Sequence, residues 1–191
     1  MKITMSSNIV SHVDLLAARL EKFPRVKRVA FALWCAQPLL NEFSNYLGNR
    51  IGSDNMALLL NAINELWNWV ITGTAPQASI IQQARNSVKS IDWPEADVEP
   101  DEETLDFGAT QLLGSLKRLF DVFETGSSKK AAEPAVGLIN RIDFELGMIE
   151  GVDDPLADSR LLGEINRQKQ MLKHLETEPK LSNADRTRFR T

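Results

Sequence analysis

The stretch Ala109-Thr-Gln-Leu-Leu-Gly-Ser-Leu-Lys-Arg-Leu-Phe-Asp-Val-Phe123 decides the fold class. Its apolar residues, Ala109, Leu112, Leu113, Leu116, Leu119, Phe120 and Phe123, recur at intervals of three and four, the period of a helix with one buried face. Lys117 and Asp121 stand four apart on the outer side, the spacing of a helical ion pair.

The same period continues on both sides, and no segment alternates as a half-buried strand would. The expected fold is all-α, a single-domain bundle of about seven helices. Ser11 is read as capping a first helix that ends near Lys22, and Pro24 opens a second running to Tyr46, with Gly48 as its stop. Ser53 or Asp54 starts a third helix carrying Leu59, Ala62, Ile63, Leu66, Trp67 and Val70, which ends at Gly73, and a narrower fourth follows Pro76. Beyond Gly126, Ala135, Ile139, Ile142 and Leu146 mark a sixth helix, with Pro134 opening or kinking it. Asp154-Pro155 reads as the cap and first residue of a seventh, built on Leu161, Leu162, Ile165, Leu172 and Leu175.

Residues 93–103 hold two prolines and six acids, an acidic connector within one helical domain spanning 1–179. Residues 180–191 are polar and read as a mobile tail. The run Val29-Ala-Phe-Ala-Leu-Trp-Cys-Ala-Gln-Pro-Leu-Leu40 places the only thiol in mid-helix among apolar neighbours, which makes Cys35 a packing residue. Pro38, well inside that helix, removes a backbone hydrogen bond and is expected to kink it.

A net charge of −4 argues against nucleic acid as partner. No apolar run approaches the ~20 residues of a membrane span, a single cysteine forms no internal disulfide, and no signal segment stands out, so a cytoplasmic protein without membrane contact is expected. No phosphate loop, G-x-S-x-G elbow or H-E-x-x-H pair occurs. His12 and His174 lack companions at metal-site spacing and read as local capping and surface charge. No catalytic residue, metal or cofactor is therefore assigned.

The arrangement Leu20, Phe31, Cys35, Asn41, Phe43 or Tyr46, and Leu66-Trp67 resembles the YjaG-like bacterial family of unknown function. Asp106, Ala109, Gly126 and Pro155 continue the likeness in order, while Ala36-Gln37 stands where that family carries a Glu-Arg pair. The resemblance implies an all-helical cytoplasmic protein and marks Phe31, Cys35, Asn41 and Trp67 as structural positions. Glu164 and Gln168 only loosely echo its last helix.

Two classes of function follow as expectations. In the first, the chain is a non-catalytic protein-interaction module of inhibitor or immunity type. Its partner surface would include Trp69, about 200° round its helix from Trp67, and the connector acids Glu99, Asp101, Glu102 and Glu103. A homodimer through the Trp69 face is a variant of this reading. In the second class, inward-facing carboxylates such as Glu65, Asp143 or Glu145 bind a metal or small ligand in the bundle.

Overall fold

The computed structural model describes residues 7–91 and 102–190. Among them are seven α-helices and no strand: α1 Ser7–Leu20, α2 Arg25–Ile51, α3 Ser53–Thr72, α4 Ala78–Ser90, α5 Glu103–Thr125, α6 Ser128–Phe144 and α7 Ser159–Thr177. A π turn, Glu145–Ile149, extends α6, and short 3-10 turns at Pro155–Ala157 and Asn183–Arg186 flank α7. No helix among the described residues is long and apolar enough to cross a membrane.

α5 buries the stripe read from its sequence, Ala109, Leu112, Leu113, Leu116, Leu119 and Phe120, and ends where Gly126 adopts φ 67°. A left-handed residue stops the helix, and glycine takes that conformation without a Cβ clash. α2 is the central rod, packed by α3, α5 and α6. All eight residues from Val29 to Ala36 are buried, as expected of a helix covered around its circumference. Cys35 is fully buried among them, and burial pushes its thiol far above the ordinary range.

Close approach of α5 to α2 depends on Gly108. A Cβ there would run into the ring of Phe43, which is fully buried. Beside that ring runs Arg141 of α6, itself buried, with Nη2 donating to Glu42 at 2.7 Å and Nη1 to Glu145 at 2.5 Å. Burial opposes the Arg141 charge, but the two carboxylates outweigh it and raise its pKa.

Several boundaries differ from expectation. α2 runs through Gly48 and stops at Gly52 (φ 89°), because Gly48 gives Met56 of α3 room to pack closely and is not needed as a stop. Ser11 lies inside α1. Pro134 lies well inside α6, whose cap is Ser127, its side chain accepting from the Lys130 N–H. Asp154-Pro155 opens only a 3-10 turn; the cap of α7 is Asp158, which accepts from the Arg160 N–H. Asp121 pairs across helices with Arg85 (3.4 Å), Lys89 (3.6 Å) and Lys130 (3.0 Å), so the expected partner Lys117 on its own helix is displaced by nearer cations on α4 and α6.

The largest difference concerns the polar tail. Residues 181–190 form a strap held against the bundle. Leu181 and Asp185 are buried, and Trp34 Nε1 donates to the Arg188 carbonyl at 2.8 Å. The strap stays down because Arg186 and Arg190 lie over Trp67 and Trp34 and Arg190 also reaches the buried Glu164, contacts that composition does not reveal. Of the connector, only Glu102 and Glu103 fall within the described residues.

Candidate functional site

Pro38 gives the site its starting point. A proline has no N–H to offer the carbonyl four residues back, here that of Trp34. Arg190 of the strap supplies the donor instead, its Nη2 lying 3.4 Å from the Trp34 oxygen. The same guanidinium lies over the Trp34 indole with Cζ 3.5 Å from the ring centroid, a cation–π contact. Its Nη1 donates to Glu164 Oε2 at 2.6 Å.

Glu164 is 1 % exposed and Gln168, one turn later, is 0 % exposed. Two polar side chains thus occupy core positions on the face that buries Leu161, Met171, Leu172 and Leu175. A buried carboxylate needs charge and hydrogen-bond partners. Glu164 has three donors: Arg190 Nη1, Arg167 Nε at 3.1 Å and Gln168 Nε2 at 2.9 Å. Gln168 Nε2 also donates to the Ala135 carbonyl at 3.2 Å. These two acceptors fix the amide orientation and turn Oε1 toward His12, so the His12 Nε2 nitrogen, 2.8 Å away, carries the proton.

His12 is therefore a buried core group rather than a surface cap. Burial lowers its pKa from the ordinary 6.5, against the opposing pull of the Gln168 bond. His174 is likewise drawn inward: its Nε2 donates to Asp185 Oδ1 at 2.6 Å. Burial works against ionisation of Asp185. Donors from the Ser182 backbone and hydroxyl, Arg188 and His174 outweigh it and hold the carboxyl below its ordinary value.

Between α2, α6, α7 and the strap lies a cleft of about 330 Å³, bordered by Glu164 and Arg190. Gln37, Pro38 and Asn41 form its α2 wall, and Glu164 and Arg167 its α7 wall. The strap adds Arg186, Thr187 and Arg190. Arg186 lies over Trp67 at 5.4 Å and donates to the Asn64 amide oxygen at 3.2 Å. Trp67 in turn donates its Nε1–H to Gln37 Oε1 at 3.2 Å, and Gln37 donates to Asn41 at 2.9 Å. Three guanidinium groups thus face one carboxylate. Arg190 Nε is buried with no acceptor among the described residues, and Arg186 has no carboxylate partner among them.

The cleft can hold an oxyanion. Guanidinium N–H groups match its geometry and the excess positive charge favours it. A metal is a poor fit, because the Glu164 oxygens are already engaged by three donors and no group of three His, Cys, Asp or Glu side chains suited to a metal occurs among the described residues.

Of the residues singled out from sequence, Asn41 borders this cleft and Trp67 supports its wall through Gln37. Phe31 and Cys35 are core, with Phe31 stacked on Trp34 at 6.3 Å. Trp69 lies elsewhere, partly buried edge-on against Phe123 at 5.3 Å, with Arg25 over both rings. Glu99 and Asp101 lie outside the described residues; Glu102 accepts from the Tyr46 hydroxyl at 3.3 Å, and Glu103 begins α5.

The inward carboxylates named from sequence do not meet. Glu65 accepts from the Gln77 N–H at 3.2 Å, Glu145 is held by Arg141, and Asp143 is only partly buried, its pKa raised by desolvation. Glu164, Gln168, Arg186 and Arg190 were not assigned to a site from the sequence, the arginines having been read only as a basic tail able to meet an acidic surface. Glu164 and Gln168 leave a signal, two polar residues four apart inside the apolar stripe of α7; the strap arginines show as alternating basic residues, with nothing local to say that they turn inward. Comparison with family profiles, with curated proteins and with solved structures finds no match to this chain.

Proposed function

We propose that the protein is a non-catalytic binding module whose arginine-lined cleft holds an oxyanion, a phosphate or carboxylate group presented by a ligand. The observation that carries this reading is the charge imbalance of the cleft: Arg167, Arg186 and Arg190 against Glu164 alone. A surplus of two positive charges beside a partly enclosed wall is an attractive site for an anion. The absence of catalysis rests on chemistry. The thiol is buried with its pKa raised, and Glu164 is engaged by three donors. Membership of the YjaG-like family belongs to the same proposal and rests on the order of Leu20, Phe31, Cys35, Asn41 and Leu66-Trp67 in the sequence.

The test is a titration with inorganic phosphate and with acetate, followed by amide and arginine side-chain NMR shifts. Binding is expected to move signals of Asn41, Arg167 and residues 186–190, and Arg186→Gln is expected to weaken it at least fivefold without unfolding the chain. Saturating phosphate and acetate that leave those signals unmoved would overturn the proposal.

A further inference from the structure

The polarity of the arginine cleft is set from behind, by Trp67. An indole N–H can only donate, so the Gln37 atom that meets it, at 3.2 Å, is Oε1. The amide nitrogen of Gln37 is then the group that donates to Asn41 Oδ1, at 2.9 Å. Asn41 is exposed and borders the cleft, and with its oxygen engaged its NH2 group is the free end of the relay. A buried tryptophan thus fixes which end of a surface amide a ligand meets.

The other groups agree in sign. Arg167 uses Nε on Glu164 and Arg186 uses Nη2 on Asn64, which leaves their remaining N–H groups without an acceptor among the described residues. Arg190 adds its charge, with Nη1 and Nη2 held by Glu164 and the Trp34 carbonyl. The acceptors are closed off: Glu164 is 1 % exposed, and the side-chain oxygens of Gln37 and Asn41 are occupied. On α6, Leu138 and Ile142 give the cleft an apolar wall.

A ligand that fits offers acceptors, balances a surplus of two positive charges and carries a small apolar body. A carboxylate brings only two oxygens and one charge. A phosphate monoester brings three acceptor oxygens and between about 1.5 and 2 negative charges near neutral pH. We infer, on the reading of the cleft as an oxyanion site, that its ligand is a small phosphate monoester with an apolar body. The phosphate is held by the Asn41 NH2 group, Arg167 and Arg186, and the body lies against Leu138 and Ile142. A volume of about 330 Å³ suits one such molecule.

The probe is phenyl phosphate, titrated into the full chain beside methyl phenyl phosphate, benzoate and inorganic phosphate, with NMR shifts of the Asn41 side-chain amide and of residues 186–190 as the readout. Phenyl phosphate is expected to bind about tenfold more tightly than the singly charged diester or benzoate, and about threefold more tightly than inorganic phosphate, which lacks the ring. Asn41→Leu removes the donor without changing the charge. It is expected to weaken phenyl phosphate about fivefold while leaving the urea midpoint of unfolding unchanged, because Asn41 is exposed. A monoester that binds no more tightly than benzoate, the diester or inorganic phosphate, or undiminished binding by Asn41→Leu, would overturn this ligand class; binding of phosphate and acetate would then still uphold the oxyanion site. Failure of every anion to move the signals would overturn both.

Discussion

Arg190 sits on Trp34 from two directions at once: its guanidinium covers the indole ring at 3.5 Å, and its Nη2 donates to the carbonyl that Pro38 leaves without a helical donor. The proline inside α2 and the arginine near the end of the chain are therefore parts of one contact. The other partner of Arg190 is Glu164, which binds the strap to α7 as Trp34 binds it to α2.

Breaking this lock from the acidic side leaves Arg190 poorly compensated in a site where its side chain is 13 % exposed. Glu164→Gln is expected to lower stability by about 3 kcal/mol, the scale for removing one partner of a buried ion pair. The double variant Glu164→Gln with Arg190→Ala should lose less than the sum of the two single losses. Urea unfolding measures all three, and additivity would show that the pair is not coupled.

Truncation after Glu178 removes the whole strap. The Trp34 indole N–H then loses its acceptor, the Arg188 carbonyl, and the ring loses its cover. Its proton should exchange with solvent at least tenfold faster, and tryptophan emission should shift to longer wavelength. An unchanged indole exchange rate would mean that the strap does not hold Trp34 in solution.

His12 predicts a pH dependence with a definite sign. Its native pKa is depressed below 6.5, so the native state binds fewer protons than the unfolded state as pH falls. The stability it contributes is complete above pH 6.5 and declines as pH drops from there toward the depressed native value. Asp121 and Asp185 are also depressed, but from an ordinary 3.8, and their loss begins only in that lower range. Unfolding free energies between pH 7.5 and about 5 should therefore fall in the wild type and flatten in His12→Gln. Parallel curves for the two proteins would exclude His12 as the source.

Gly108→Ala tests the close approach of α5 to α2. Alanine gains about 1 kcal/mol of helix propensity over glycine. The new Cβ meets the buried Phe43 ring, and overpacking of that kind costs about 1–3 kcal/mol. With so short a contact the loss is expected to prevail, giving a net destabilisation of about 1–2 kcal/mol by thermal or urea unfolding. A stabilised variant would show that Phe43 can turn aside freely.

Cys35 should be inert in the native state. It is fully buried with its pKa raised, so a thiol reagent such as Ellman's should label it only at the rate at which the protein opens. Labelling as fast as that of free cysteine would show that the core of α2 is accessible.

The helices were legible because they rest on local periodicity. The stripe of α5, the stops at Gly73 and Gly126 and the packing role of Cys35 are each set by residues within a few turns of one another. Boundaries were misread wherever a neighbouring helix decided them, as at Gly48, which serves Met56, and at Asp121, whose cations come from α4 and α6.

By itself, then, the sequence determined an all-α chain whose second helix carries one wholly apolar run, Val29–Ala36, because the three-and-four spacing of apolar residues is a local code. Only the tertiary structure decided that His12, Glu164, Gln168 and Arg190 form one buried chain of polar contacts. Arg190 lies 156 positions from Trp34 and 26 from Glu164. A polar tail read alone looks like a solvated end; it becomes a strap only when the proline-freed carbonyl, the indole face and the buried carboxylate that it satisfies are brought to the same place.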